Sequence, residues 1–141
     1  MENYDIQRFI KAQEQSYDGY KQALSEIQQG RKTSHWIWYI FPQIKGLGHS
    51  NMSNYYGISC LEAQEYLSNE VLSARLREIT NALLSHKDKT SKEILGDVDS
   101  WKVRSCMTLF DAVCPDDIFR EVLNQFYGGK RCQRTLGKLN K

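Results

Sequence analysis

Apolar residues recur three and four positions apart along almost the whole of this chain, and that period decides the fold class: side chains so spaced share one face of an α-helix. Ile6, Phe9 and Ile10 make the first such stripe, with Asp5 placed to cap its exposed N–H groups. Tyr17, Tyr20, Ala23, Leu24 and Ile27 make the second, closed by Gly30, a residue suited to the left-handed turn past a helix end. Ser34 is placed to cap a short, nearly all-apolar helix from His35 to Phe41, which Pro42 halts. The glycines and polar residues from Gly46 to Asn51 read as a loop. Ser59 and Glu62 have the spacing of a capping box and open a helix to about Leu67. Asn69 caps the next, which carries Val71, Leu72, Arg75, Leu76, Ile79 and Leu83 on one stripe. A short helix spans Ser91 to Leu95 and ends at Gly96, and another runs from Trp101 to Phe110. Asp116 or Asp117 opens a last long helix with Ile118, Phe119, Val122, Leu123 and Phe126, ended by Gly128 and Gly129, and a short one follows around Thr135 to Leu139. Only residues 54–59 carry strand character. The expected fold is all-α, a single-domain irregular array of seven or eight helices over residues 1–141.

The length of 141 residues suits one domain that buries about two-thirds of its unfolded surface. With 40% hydrophobic and 26% charged residues and only 2 prolines, the chain is neither disordered nor low-complexity. Its longest apolar run, Trp36 to Phe41, is far short of the roughly 20 residues that cross a bilayer. The residues from Met1 to Asp5 have no basic flank or apolar run of a signal peptide, so the expected setting is soluble and cytoplasmic, with no membrane partner. Net charge is +2, but Lys130, Arg131, Arg134, Lys138 and Lys141 place +5 from Gly128 onward and leave −3 on the rest. Such a segment is ordinarily solvated. With no interleaved aromatics beyond Tyr127, it argues against a nucleic-acid partner. Cys60, Cys106, Cys114 and Cys132 lie 46, 8 and 18 positions apart, spacings that match no zinc clip. They read as reduced thiols, Cys106 in the core. No metal site, cofactor or catalytic set is expected, and whether the chain is an enzyme stays open at this level.

One stretch departs from amphipathic patterning. Residues 30–50 pack Arg31 and Lys32, two of the three tryptophans and two of the three histidines into about twenty positions around the all-apolar run. A helix apolar all round is buried all round, so its flanking polar residues are positioned against the core. Arg31 and Lys32 precede a helix N-terminus, whose free N–H groups favour an anion. Gly46 and Gly48 allow backbone to approach a ligand closely. The candidate ligand-binding residues are accordingly Arg31, Lys32, Ser34, His35, Trp36, Gln43, Ser50, Ser53 and Tyr56. In this reading the two cations meet an anionic group, Trp36 or Tyr56 stacks on a ring, and the three serine hydroxyls orient it.

Each member also has a plainer role: tryptophans on helices mostly pack in cores, Arg31 has Glu26 as a ready ion-pair partner, and Gln43 can satisfy loop backbone. His49 and His86 read as solvated. On the Trp101 helix, Lys102, Ser105 and Thr108 form a polar face that either lines a pocket or meets water, water being the default.

Taken together, Arg8-Phe9, Ala12-Gln13, the run Gly30-Arg31-Lys32 through Ser34-His35-Trp36, Trp38 and Ile40-Phe41-Pro42-Gln43, then Gly46-Leu47-Gly48, Ser50 and Ser53 resemble the family named domain of unknown function 1810. Glu62-Ala63, Tyr66-Leu67, Arg75-Leu76, Lys102, Ser105 and Met107-Thr108-Leu109-Phe110 extend the likeness across the chain. The resemblance implies an irregular all-helical fold and supplies no activity. Where the family is expected to carry an acid before its final Thr-Leu, this chain reads Cys132-Gln133-Arg134-Thr135-Leu136. Ala12-Gln13, the Gly-Arg pair and a later Trp-containing helix are also faintly similar to NADAR proteins, which are associated with NAD and ADP-ribose.

The functional expectation is a pocket around residues 30–53 that takes a small anionic, nucleotide or ADP-ribose-like ligand. The alternative is a protein-interaction module without catalysis, in which the same motif is structural. Exposure separates them: Arg31, His35, Gln43 and Ser50 converge on a concave pocket in the first case, and are spent on helix ends and loop backbone in the second.

Overall fold

In the computed structural model, which describes residues 5–140, ten helices form an all-α array. The residues from Met1 to Tyr4, and Lys141 of the basic segment, lie outside the described residues. The elements are α1 (Gln7–Gln13), α2 (Tyr20–Gln29), α3 (Ile37–Ile40), α4 (Asn51–Tyr56), α5 (Cys60–Ser68), α6 (Glu70–Leu84), α7 (Ser91–Leu95), α8 (Asp97–Val113), α9 (Ile118–Tyr127) and α10 (Gln133–Leu139). Among the described residues the only extended pairing is a single bridge between Ile44 and Ile58.

Local chemistry sets most boundaries. The Asp5 carboxylate accepts the Gln7 N–H at 2.9 Å, opening α1. Ser59 and Glu62 complete their capping box at α5, and Asn69 accepts the Leu72 N–H at α6. Asp117 caps α9. Gly30, at φ +83°, closes α2 in the left-handed conformation that side chains resist. The ten helices exceed the seven or eight expected, α8 begins at Asp97 and ends at Val113 rather than spanning Trp101 to Phe110, and three further elements differ from the periodicity reading. Tyr17 lies outside α2 and is exposed. The residues from His35 to Phe41 narrow to the four-residue α3, because the Ser34 hydroxyl bonds elsewhere and Trp36 is drawn out of the helix. Residues 51–56, which include the first half of the stretch 54–59 read as strand-like, form α4 behind a Ser50 cap.

The centre of the array is α8, against which α5, α7, α9 and α10 pack. Its residues from Ser105 to Asp111 are all buried. An aromatic spine crosses the core, Phe9 to Tyr66 to Phe110 to Phe119, with ring centroids 5.3 to 5.6 Å apart. The polar face of α8 does not meet water beyond Lys102. Ser105 and Thr135 share a buried hydroxyl bond of 2.7 Å, and Thr108 accepts the Cys132 N–H at 2.9 Å, docking the start of α10. Asp111, buried in α8, accepts from Arg120 at 3.1 Å and from Arg131 at 3.0 and 3.2 Å. The described part of the basic segment is therefore folded onto the domain. Thr135→Val should cost about 1–2 kcal/mol by leaving the Ser105 hydroxyl unpaired, and adding Ser105→Ala should recover most of it. Thermal melts of the single and double variants check this.

Candidate functional site

The donors of residues 33–36 converge on a carboxylate that the chain itself supplies. Glu26, on α2 and buried, accepts the Thr33 and Ser34 N–H groups at 2.8 and 3.0 Å. It also accepts the Trp36 indole N–H at 3.0 Å, the Ser34 hydroxyl at 2.6 Å and the Gln22 amide at 3.2 Å. Burial works to raise its pKa, but these hydrogen bonds to the charged form outweigh burial and hold it at about 2, against an ordinary 4.5. Trp36 is fully buried, so its ring packs in the core and offers no face to a ligand.

Lys32 is also turned inward. Its ammonium pairs with Asp99 of α8 at 2.8 Å, bonds the Ser34 carbonyl, and lies 4.9 Å from the Trp36 ring centroid. Arg31 and His35 are exposed, the latter holding its backbone N–H toward Asp18 at 3.4 Å. The expected cradle before α3 thus holds an internal anion. His86 is half-buried rather than solvated, its Nε2 lying 2.5 Å from the Ile27 carbonyl.

The second half of the motif opens onto a cavity of about 470 Å³. One wall comes from Trp38, the backbone after Pro42 and α4; the other comes from α8 and the start of α10. Of the nine candidate residues, Gln43, Ser53 and Tyr56 line it. Ser50 instead caps α4, accepting the Ser53 N–H at 3.1 Å, and the Ser53 hydroxyl donates back to the Ser50 carbonyl at 3.0 Å. By the exposure criterion the candidates divide: residues 31–36 and Ser50 are structural or solvent-facing, and Gln43 is in the concave site.

The backbone under Gln43 is held on both sides. Its carbonyl accepts the Ile58 N–H at 3.0 Å, and the Lys45 N–H donates to the Ile58 carbonyl at 2.9 Å. Gly57 makes this approach feasible: a Cβ there would stand 2.8 Å from the Lys45 Cα and the Ser53 carbonyl oxygen. Burial, and then the neighbouring Tyr55, raise the Tyr56 phenol above its ordinary pKa, so it remains protonated at neutral pH.

Sequence reading missed the opposite wall. Trp101, 63% exposed, and Val98, 65% exposed, stand at the rim as unusually bare apolar groups. Among the described residues three cations line the cavity and no acid does. Lys102 places its ammonium 4.2 Å from the Trp38 ring centroid and 3.4 Å from Asp99. Asp99 is already paired with Lys32, so one carboxylate serves two ammonium groups. Arg104 lies 4.4 Å over the Trp101 ring, and its Nε is buried with no hydrogen-bond partner among the described residues. Arg134 donates to the Leu47 carbonyl at 2.6 Å, bridging α10 to the glycine loop. The available signal was the polar spacing of Lys102 and Ser105 with Trp101 beside them.

All four cysteines are free thiols, and burial pushes the Cys106 thiol well up, consistent with its place in the core. Among the described residues no His, Cys, Asp or Glu cluster is arranged to hold a metal ion, and no helix is long and apolar enough to cross a membrane.

The fold and site together define a class of all-helical domain with an apolar, cation-rimmed cavity between its central helix and an aromatic-rich loop. The chain belongs to the family described as protein of unknown function (DUF1810), whose model matches residues 3–139. It is also similar to the crystal structure of the conserved hypothetical protein Rv1873 from Mycobacterium tuberculosis, with 37% sequence identity, 98% of each chain covered and a TM-score of 0.93. No match is found among curated proteins.

Proposed function

We propose that this protein binds a small anionic ligand carrying a flat ring, of the nucleotide or ADP-ribose-like kind, in the cavity between residues 38–57 and the α8–α10 wall. The observation that carries the reading is the lining itself: Lys102, Arg104 and Arg134, with no acid among the described lining residues, beside the aromatic side chains of Trp38, Tyr56 and Trp101. A cavity of about 470 Å³ is within the ordinary range of small-molecule sites. Because Asp99 is shared between two ammonium groups, Lys102 retains positive charge for a ligand. The Arg104 guanidinium, 4.4 Å over the Trp101 ring, brings a second positive charge to the same wall.

Two of the three tryptophans line this cavity and the third is buried away from it, so intrinsic fluorescence reports directly on occupancy. A panel of nucleotides, NAD, ADP-ribose and sugar phosphates, screened by thermal shift and then titrated by fluorescence, tests the reading. A ligand at 100 times its dissociation constant stabilises by about 2.7 kcal/mol, a shift of several degrees at this size. Lys102→Ala should weaken the best ligand about tenfold or more, the cost of about 1.5–3 kcal/mol for one hydrogen bond to a charged group. Silence across the panel from folded protein would overturn the proposal. It would favour a protein-interaction module instead, with the exposed Val98 and Trp101 as its natural contact point.

A further inference from the structure

We infer that Gln43 is the specificity-determining residue of this cavity, reading the edge of a nucleobase-type ring that presents a hydrogen-bond donor and acceptor side by side. The inference rests on the ligand-binding reading above and names which part of the ligand the site discriminates.

Gln43 is half-buried in the cavity wall, and its side-chain amide makes no hydrogen bond among the described residues. Of the other uncharged polar groups in the lining, the second amide, Gln133, is exposed at the start of α10, the Tyr56 phenol offers a single hydroxyl, and the Ser53 and Ser105 hydroxyls are committed. Ser53 donates to the Ser50 carbonyl at 3.0 Å, and Ser105 shares its hydroxyl bond with Thr135 at 2.7 Å. The cations offer donors alone and so select for negative charge without distinguishing one ring from another. A primary amide offers an acceptor and two donors in one plane, the complement of an adenine edge or of any lactam or amidine edge.

Placement makes this amide selective rather than adaptable. Pro42 restricts the backbone just before it, and the Ile58 N–H bond to the Gln43 carbonyl, with the Ile44–Ile58 bridge next in line, holds the backbone after it. A side chain on anchored backbone loses less freedom when it binds, and a mismatched edge leaves its amide unpaired in a partly dry cavity. Trp38 and Tyr56 bring aromatic surface to the same space, and Lys102 brings charge, so ring and anion have separate anchors. The class implied is a nucleoside phosphate in which the phosphate supplies affinity and the base supplies identity.

The test uses the full chain and four probes: AMP, GMP, UMP and ribose 5-phosphate, which keeps the anion and removes the base. Titrations by tryptophan fluorescence compare wild type, Gln43→Leu and Gln43→Glu, each first shown to melt as wild type does. Wild type should bind one nucleotide at least tenfold more tightly than ribose 5-phosphate. Gln43→Leu should reduce that nucleotide to about the ribose 5-phosphate level while leaving ribose 5-phosphate itself within twofold. Gln43→Glu, which replaces the amide donors by an acceptor, should reorder the three nucleotides. If Gln43→Leu retains the wild-type ranking, or if wild type binds ribose 5-phosphate as well as it binds every nucleotide, the role of Gln43 is overturned while the anion-binding reading stands. If wild type binds none of the four, both fall together.

Discussion

Replacing Glu26 by alanine should destabilise the protein by about 3–5 kcal/mol, the usual cost of breaking a buried charged network, and lower the melting midpoint by roughly 10–20 °C. The reason is arithmetic in donors rather than in lost contacts. Five groups end on this carboxylate: the Thr33 and Ser34 N–H groups, the Ser34 hydroxyl, the Trp36 indole and the Gln22 amide. Alanine would leave those in the buried part of the loop without an acceptor, and the turn that delivers Trp36 to the core would lose its template. The same network predicts a pH dependence. The folded-state pKa of about 2 lies below the ordinary 4.5, so in acid the unfolded chain takes up the proton more readily. The contribution is fully present above pH 4.5 and is lost as pH falls toward 2. Melts at pH 7, 4 and 3 should show wild type losing midpoint more steeply than Glu26→Gln, which has no proton to take up there. Parallel pH profiles would refute the assignment.

The second large effect is expected at Asp99. Asp99→Ala removes the partner of Lys32, whose side chain is only 8% exposed, and a buried ammonium left unpaired costs about 3–5 kcal/mol. Second-site rescue separates this cause from loss of packing. Adding Lys32→Met removes the stranded charge and should return stability to within about 1–2 kcal/mol of wild type, since apolar replacement of both members of a buried pair is often near neutral. Denaturant melts of the single and double variants test it, and a double variant no more stable than Asp99→Ala would refute the pairing as the cause. Asp99 also reaches Lys102 at 3.4 Å, so the two lysines compete for one carboxylate. In the double variant Lys102 should therefore hold an anionic ligand at least as tightly as in wild type.

These two residues show why residues 30–36 carried so strong a signal. Adjacent cations, a serine, a histidine and free backbone N–H groups before an apolar run describe an anion cradle, and the chemistry of the cradle is present. Its occupant is Glu26, eight residues away from Ser34 along the chain but brought against it by the left-handed turn at Gly30. Spacing alone does not distinguish an internal carboxylate from an external phosphate, because both satisfy the same donors.

Helix boundaries were legible where a capping residue stands beside an apolar stripe. Ser59 with Glu62, Asn69, Asp117 and Gly30 act within one or two turns, so their effect is encoded locally. The boundaries were not legible at α4, which buries none of its six residues and so leaves no apolar stripe. They were also missed at the start of α8, whose first turn carries the exposed Val98. Of the site, Gln43, Ser53 and Tyr56 could be nominated because they sit beside the unusual loop. Trp101, Lys102, Arg104 and Arg134 could not be nominated together, since 58 positions separate Gln43 from Trp101 and nothing local marks the approach.

By itself, then, the amino-acid sequence determined the all-α class, most of the caps and the family, because hydrophobic period, capping chemistry and motif spacing all act over short distances along the chain. Only the tertiary structure decided which anion residues 33–36 hold and which residues wall the cavity. Both depend on where α8 and α10 lie against the loop after Pro42, and that packing is set by buried contacts between residues far apart in sequence, such as Ser105 with Thr135 and Lys32 with Asp99.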